Sequence, residues 1–405
     1  EGDYLGNTNI NAAATAPVTD ELTGETTGGD AEGSITVYNS ASNAEVTLQA
    51  GANRAVFNAK ADGEGAENTI SAKGSLKLIM EEGAENVTAA AISTNRNAYN
   101  AFAEGNSKAS GIIDVEDTKA ATNVIYGIMA RRNAYNAVAN GTLAQASGTI
   151  NINTATDKQA YGMYAGRDVY NQNTPNQTSI VNVRGTGKGD LYGLYSEQGS
   201  VYNSGNVNVH AAHGNAYGIY VANGEGQVVD NSGNIIVASD TKTAYGIYIE
   251  NAGEGMTLIN SGLINATGDE NSRGIKVAAN GQNAVVTNTG RIIVNGAENA
   301  GNTAIDLGGG TLANAGEVEF IGAQNLDDLN GKITLEKGGK YKADSLSGNL
   351  KIGKSVVMEG FEDTYRQKDG IDAEDIEGLE VTSESAMFKG TAEKNSHNGY
   401  DAVAT

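Results

Sequence analysis

The residues best suited to chemistry are charged side chains that follow short tyrosine-containing runs. Arg131, Arg132, Arg167 and Asp168 lie in this position, and Glu197 follows about one repeat later. Carboxylates beside a basic group are what polysaccharide-cleaving enzymes use for acid–base chemistry. The same set also fits a solvated corner with charges of both signs, and the sequence favours that interpretation. We therefore expect no enzymatic activity.

The three histidines offer little to a protease or a zinc site. A serine protease needs a nucleophile beside a histidine and an acid, and the chain has no Gly-Asp-Ser-Gly elbow. His210 and His213 form the one pair close in sequence, but alanine and glycine flank them. No neighbouring carboxylate completes a metal site there. We predict no metal at this pair.

Acidic turns leave structural calcium open. The stretches Asp327-Asp328-Leu329-Asn330-Gly331 and Gly268-Asp269-Glu270-Asn271 offer oxygen ligands beside a glycine. Neither matches the twelve-residue calcium loop or the Gly-Gly-x-Gly-x-Asp repeat. The prediction is that no cofactor is required.

Tyrosines recur at fixed positions and predict two outward columns. One column holds Phe57, Tyr99, Tyr135, Tyr170 and Tyr202, and the other holds Tyr164, Tyr195, Tyr220 and Tyr248. Tyrosine offers a large, rigid contact area with a polar tip. These columns, with Arg131, Arg132 and Arg167, are the candidate ligand-binding residues. Alternatively, in-register aromatic stacks only stabilise the repeat.

These positions belong to a repeat that shortens along the chain. Runs such as Tyr217-Gly218-Ile219-Tyr220 alternate with Asn-x-Gly marks and with short alternating β runs. Three strands per period of about 25–36 residues describe a coil that must stack on its neighbours. We predict an all-β fold, a right-handed parallel β-helix of roughly ten to twelve coils with a C-terminal capping region.

One asparagine per coil predicts an internal ladder. Because side chains alternate along a strand, an inward asparagine shares its face with the apolar residue two positions earlier. Stacked amides can then hydrogen-bond from coil to coil. The alternative is that they turn the chain between faces. The predicted ladder is Asn100, Asn136, Asn171, Asn203, Asn231, Asn260, Asn288 and Asn314.

Composition limits the class of protein. The 405 residues carry a net charge of -22 and include no Cys. An acidic chain is poorly suited to nucleic acid, and like charges oppose self-association, so we expect no nucleic acid and a monomer. The lack of thiols excludes a disulfide scaffold and suits passage through an oxidising compartment. No apolar run reaches the ~18 residues of a membrane span.

Three regions are expected along the chain. Residues 1–33 are a lead-in or partial coil, residues 34–320 are β-helix repeats, and residues 321–405 are a C-terminal cap with an acidic loop or short helix over residues 359–378. Extra residues in the long coils are expected around Asn95 to Asn97, Arg131 to Asn133 and Asn171 to Gln177. Insertions in a solenoid often form its binding face.

The repeats resemble the passenger domains of type V, monomeric autotransporters. The segments 346–365 and 383–388 are similar to the region before the β-barrel in large autotransporter adhesins of oral anaerobic Gram-negative bacteria. The resemblance covers residues 34–405 and implies a passenger whose translocator barrel is absent, with residues 321–405 as an autochaperone-like region. It implies a cell-surface location, anchored to the outer membrane through that missing barrel.

By this resemblance the function is adhesion to a host or bacterial surface protein or glycan. A stiff rod would present loops and tyrosine columns, and many weak contacts would act through avidity. Two alternatives remain open, a structural stalk whose adhesive tip lies elsewhere and a polysaccharide-degrading β-helix enzyme.

Overall fold

The structure is a computed structural model that describes residues 12–269, 272–295, 304–358 and 360–405. The first eleven residues of the predicted lead-in, Glu270 and Asn271 of one acidic turn, and Glu359 of the predicted acidic loop lie outside the described residues. The chain divides into two compact units, Glu1–Gly214 and Asn215–Thr405. This division falls inside the predicted repeat region.

The first unit is a parallel β-helix with three sheets, so the predicted fold is confirmed. Sheet 1 contains β1 (Ala12–Thr19), β2 (Thr26–Gly29), β5 (Val56–Gly63), β8 (Ala98–Gly105), β11 (Ala134–Asn140), β14 (Val169–Asn171) and β17 (Val201–Asn203). Sheet 2 contains β3 (Ala31–Asn39), β6 (Ile70–Met80), β9 (Ser107–Asp117), β12 (Gln145–Thr154), β15 (Ile180–Gly185) and β18 (Asn206–Ala211). Sheet 3 contains β4 (Glu45–Gly51), β7 (Thr88–Thr94), β10 (Val124–Ala130), β13 (Ala160–Ala165) and β16 (Leu191–Ser196).

The second unit repeats the same three sheets. Sheet 1 contains β20 (Val228–Asn231), β23 (Thr257–Asn260), β26 (Val285–Asn288), β29 (Thr311–Asn314), β31 (Ala323–Asn325), β32 (Lys332–Leu335), β34 (Ser345–Ile352) and β36 (Leu379–Ser383). Sheet 2 contains β21 (Asn234–Ser239), β24 (Leu263–Gly268), β27 (Arg291–Asn295), β30 (Glu317–Phe320), β33 (Lys340–Lys342), β35 (Tyr365–Asp372), β37 (Gly390–Lys394) and β38 (Tyr400–Ala404). Sheet 3 contains β19 (Ala216–Asn223), β22 (Ala244–Asn251), β25 (Arg273–Val277) and β28 (Ile305–Asp306).

Alternation explains why these runs are strands. Along β12, inward residues such as Ile150 and Ile152 are buried, whereas Thr149, Asn151 and Asn153 face solvent. The buried side chains of each coil pack against those at the same positions of the next coil, because the strands pair in parallel and in register. The core is therefore a stack of aliphatic layers, and the period of two visible in the sequence is the period of the strands.

The long coils owe their length to added residues that lie at a different place in the coil from the one predicted. The turns 95–97 and 131–133 join strands of sheets 3 and 1 and have the same three-residue length as the turn 166–168. The added residues lie instead between sheets 1 and 2, at 59–73, 101–110 and 137–147. Alanines give little hydropathy contrast, which hides these added strand segments in the sequence.

Residues 59–73, 101–110 and 137–147 form a thin second lobe of the coil, which we call the alanine extension. Strands β5, β8 and β11 run past the ladder asparagine, and β6, β9 and β12 return beside them. Methyl side chains let the two layers lie close together. The buried hydrophobic residues of this lobe are Ala12, Ala14, Ala59, Ala61, Ile70, Ala72, Ala101, Ala103, Ala109, Ala137, Ala144 and Ala146.

The loop after β14 closes the last layer of the alanine extension. The hydroxyl of Thr174 donates to the carbonyl of Ala146 at 2.7 Å, and it accepts the amide N–H of the same residue at 2.8 Å. A bridge between Thr174 and Gln177 holds the loop in shape. This is the one predicted insertion, Asn171 to Gln177, that does coincide with added residues.

Strand pairing is present on both sides of the predicted repeat region. At the beginning, β1 pairs in parallel with β5, in agreement with a partial coil before residue 34. At the end, β29 pairs with β32 and β34 with β36, all in parallel, so the coils continue beyond residue 320. The repeat marks vanish there, but the alternation that makes a strand remains.

Antiparallel strands end the second unit. Strand β38 pairs with β35 and with β37, both antiparallel. The predicted acidic loop or helix over residues 359–378 is wrong in part, because β35 occupies Tyr365–Asp372 and buries Tyr365 and Ile371. Short 3-10 turns at Leu326–Leu329 and Lys354–Val356 are the helical segments of the described chain, and no helix there is long and apolar enough to cross a membrane.

Candidate functional site

A ladder of buried asparagines links consecutive coils by hydrogen bonds, and the surface residues of the candidate site lie on these coils. In the first unit, Asn58, Asn100, Asn136 and Asn171 each donate to the amide oxygen of the next ladder residue at 2.8–2.9 Å, ending at Asn203. In the second unit the same chain of bonds runs Asn231, Asn260, Asn288 and Asn314, also at 2.8–2.9 Å. All of these asparagines are buried. The predicted inward ladder is thus present, and it also includes Asn58.

A stacked aromatic column stands outside this ladder in the first unit. The rings of Phe57, Tyr99, Tyr135, Tyr170 and Tyr202 follow one another at centroid distances of 4.7, 4.5, 4.6 and 5.1 Å, with interplanar angles of 10° or less. Each ring is half-buried. Because each face within the column lies against the next ring, the rings expose their edges and hydroxyls rather than their faces.

The tyrosines of sheet 3 form a double column. Tyr164 stacks on Tyr195 at 4.8 Å in the first unit, and Tyr220 stacks on Tyr248 at 4.9 Å in the second. The first tyrosine of each run lies on the same outer face, since Tyr161 meets Tyr164 edge-on at 5.2 Å. Simple alternation would have placed Tyr161 inward, so the prediction included only the second tyrosine of each run.

A glycine causes this departure from alternation. Gly162 and Met163 both face inward, between the two outward tyrosines. A Cβ on Gly162 would lie 2.5 Å from a methyl of Val181, so only glycine fits against sheet 2. The Tyr-Gly-x-Tyr pattern itself was the signal that could have revealed the double column.

The hydroxyls of four column tyrosines, Tyr99, Tyr135, Tyr164 and Tyr170, have a raised pKa and stay neutral at physiological pH. Burial raises the pKa of Tyr99 and of Tyr135 above the usual value. Burial also raises the pKa of Tyr164, and the carboxylate of Glu197, which accepts from its hydroxyl, adds to the shift. Burial and the nearby Asp168 raise the pKa of Tyr170 in the same way.

The predicted arginines line the corner between sheets 3 and 1. They lie beside the stacked column of Phe57, Tyr99, Tyr135, Tyr170 and Tyr202, hereafter the Tyr99 column. Arg131, Arg132 and Arg167 are all exposed, and the backbone N–H of Arg167 donates to the carbonyl of Arg132 at 3.0 Å. Arg96 precedes them in the same row, since Arg132 donates its N–H to the Arg96 carbonyl at 3.4 Å. The Nε of Arg131 donates to the Asn95 side chain at 3.0 Å.

The acids of the hypothetical catalytic group have structural partners. Asp168 accepts the N–H of Ser200 at 2.8 Å and the hydroxyl of Tyr170 at 3.2 Å. It thereby continues a corner ladder in which Asn133 accepts the N–H of Asp168 at 3.0 Å. The Glu197 carboxylate is held by the Tyr164 hydroxyl. Both carboxylates are thus hydrogen-bonded to groups of the chain itself.

No protein-family model, curated protein or solved structure matches the chain.

The predicted metal-ligating candidates are engaged in turns. The Asp327 carboxylate accepts the N–H of Asn349 at 3.0 Å and its side-chain amide at 3.2 Å. Asn330 adopts the left-handed conformation that ends this turn. His213 is exposed and His210 half-buried. Within the described ranges, no three His, Asp or Glu residues are grouped to hold a metal ion.

Proposed function

We propose that this chain is an adhesin passenger of the autotransporter type, which binds a protein or glycan on a host or bacterial surface. The observation that carries the proposal is the in-register row of tyrosine edges and hydroxyls at 4.5–5.1 Å spacing, beside a row of exposed arginines. Repeated identical donors suit a repeating or extended ligand and weak contacts that add through avidity.

The form of the column supports hydrogen bonding as the mode of contact. Ring faces within the stack are covered by neighbouring rings, so a sugar cannot lie flat on them. The accessible groups are phenol hydroxyls and ring edges, with the Arg132 and Arg167 guanidinium groups alongside. Guanidinium groups only donate hydrogen bonds, whereas a phenol hydroxyl donates or accepts, and the Tyr170 proton is already given to Asp168. The arginines therefore favour a ligand that presents acceptor oxygens.

The test is a cell-surface and glycan-array binding assay with the purified chain. Changing Tyr135, Tyr170 and Tyr202 together to Phe removes the hydroxyls and keeps the stack. We expect this triple variant to lose binding at least tenfold, because each lost hydrogen bond contributes about 1 kcal/mol. Changing the same residues to Ala should abolish binding, but it also removes stacking.

The matched control is Tyr38→Phe, since Tyr38 is exposed on sheet 2 and belongs to neither column. Its binding should equal that of the unchanged chain. A folded chain that binds no cell surface would contradict the proposal, even if it binds a free saccharide. Binding that survives the triple phenylalanine variant would place recognition away from the Tyr99 column.

A structural stalk is the second candidate function, and one observation favours it. Tyr217 and Tyr220 are only 8% and 9% exposed, so this pair of the second unit is mostly covered, whereas Tyr245 and Tyr248 are half-buried. Stacked and edge-on aromatic pairs stabilise a fold by about 0.5–1.5 kcal/mol each without any ligand. A stalk would carry these columns for stiffness and would show no selective binding in the assay above.

A further inference from the structure

A groove on the outer face of sheet 2 in the first unit is distinct from the tyrosine columns. Strands β6, β9 and β12 pass through Gly74, Gly111 and Gly148 at the place where the alanine extension joins the main coil. The approach to sheet 1 is close there, because a Cβ on Gly148 would lie 2.1 Å from the side-chain oxygen of Asn136. On the extension side of these glycines the strands line a cavity of about 210 Å³.

The polar lining of the groove consists of hydrogen-bond donors without carboxylates. Lys73 and Lys108 stand on neighbouring strands, with Ser110 and Ser147 in register with Lys73. The groove continues to Gln145 and Gln177, whose side chains lie 3.4 Å apart. Within the described part of the chain, neither lysine forms an ion pair.

This positive charge is local. The chain as a whole has a net charge of -22, and a second cavity that Lys73 and Ser71 also line holds Asp30 and Glu32, with Glu32 in register with Lys73. The Asp30 carboxylate accepts the backbone N–H of Ser71 at 2.8 Å, so it is already engaged. Two unpaired lysines on adjacent strands, at a diagonal separation of about 7–8 Å between Cα atoms, can share one anionic group.

We propose that this groove binds a saccharide chain that carries an anionic group. Lys73 and Lys108 hold the carboxylate or sulfate, and Ser110, Ser147 and Gln145 meet sugar hydroxyls at the strand spacing of about 4.8 Å. A peptide with apolar anchors is disfavoured because the apolar lining is limited to Ala72 and Ala109. A free anion would use the lysines but leave the remaining donors unmatched.

The inference rests on the proposed function only in taking a surface saccharide as the ligand. The groove and the Tyr99 column share no residue. The two ideas therefore fail separately. Loss of groove binding with intact cell binding overturns the inference alone, and groove binding without any cell binding overturns the adhesin proposal alone.

The experiment is calorimetric titration of the whole chain with four probes. These are a uronate-containing tetrasaccharide, a sulfated tetrasaccharide, neutral chitotetraose and sodium sulfate. We expect binding of an anionic tetrasaccharide at least tenfold tighter than that of chitotetraose or sulfate. Comparing the two anionic probes shows whether carboxylate or sulfate is the group recognised.

The deciding variant combines Lys73→Gln with Lys108→Gln, which keeps both side chains polar and removes both positive charges. We expect at least a tenfold loss of affinity for the anionic probe. The control is Lys77→Gln, because Lys77 lies on the same strand and pairs with Glu116 at 3.9 Å. Equal binding by the double variant overturns the inference, as does binding of sulfate with the same affinity as the tetrasaccharides. Circular dichroism confirms that each variant is folded.

Discussion

In the second unit, the strands β20, β23, β26 and β29 end at their ladder asparagine, whereas in the first unit β5, β8 and β11 continue past it. The amide of Asn260 donates to the carbonyl of Gly262, two residues later. The amide of Asn136 donates to the carbonyl of Gly148, twelve residues later. The contact is the same, and only the length of chain between its two members differs.

This comparison shows where a solenoid coil tolerates growth. The asparagine and the glycine form a fixed junction between sheets 1 and 2, and the alanine extension is inserted inside it. A solenoid whose coils contact only their neighbours can accept such an insertion if adjacent coils carry it too. The groove proposed as a saccharide site exists because the junction is kept while the chain between its members lengthens.

The largest expected effect comes from breaking the ladder in each unit. Asn136→Ala leaves the Asn171 side-chain oxygen and the carbonyls of Gly148 and Ile180 without their donor. Asn260→Ala removes the equivalent donor in the second unit. Each variant should lower the free energy of unfolding by about 3 kcal/mol, measured by guanidinium unfolding with circular dichroism.

Equal losses would support one shared junction. A much smaller loss for Asn136→Ala would mean that the alanine extension, rather than the ladder, holds the long coils together.

The next effect tests the glycine side of the junction. Gly148→Ala would bring a Cβ to 2.1 Å from the Asn136 side-chain oxygen, so the strand must shift. Such overpacking should cost about 2 kcal/mol in the same unfolding measurement. The neighbouring Ser147→Ala, on the outer face, is the control and should change stability little. A tolerated Gly148→Ala would argue against close approach as the reason for glycine.

The smallest effect concerns a buried acid found at the end of β9. Asp117 accepts from Asn123 at 2.7 Å and from Thr154 at 2.6 Å. Burial nonetheless raises its pKa above the usual 3.8, so the charged form is disfavoured in the folded chain. The stabilising contribution of Asp117 is therefore complete below pH 3.8 and is lost as pH rises through the raised pKa.

Asp117→Asn removes this titration. As the pH rises above 3.8, the thermal unfolding temperature of the unchanged chain should fall relative to that of the variant. A difference between the two that is constant with pH would show that the Asp117 carboxyl titrates alike in folded and unfolded chains.

The fold and the ladder could be predicted from sequence because their signals repeat. One asparagine per coil, with an apolar residue two positions before it, fixes which side chains face inward. The Tyr99 column follows from the same parity. The edge-only exposure of its rings could not be predicted, since it depends on how closely consecutive rings stack.

The alanine extension and the groove could not be predicted for a different reason. Alanine is small enough to be buried and common enough at surfaces to carry little signal. The outward Tyr161 was missed because Gly162 and Met163 both turn inward, which breaks the alternation on which the prediction relied. The strand β35 was missed because charged residues of both signs, Arg366, Lys368, Asp369 and Asp372, concealed its buried residues Tyr365 and Ile371.

The hydroxyl of Thr174 blocks a strand edge at the end of the alanine extension. An open strand edge presents unpaired N–H and C=O groups on which a further strand can add, which is a route to aggregation. By bonding both backbone groups of Ala146, Thr174 occupies the place that the next strand would take. A single side chain thus acts as an end stop, and at this position the lobe finishes without a template for the addition of a foreign strand.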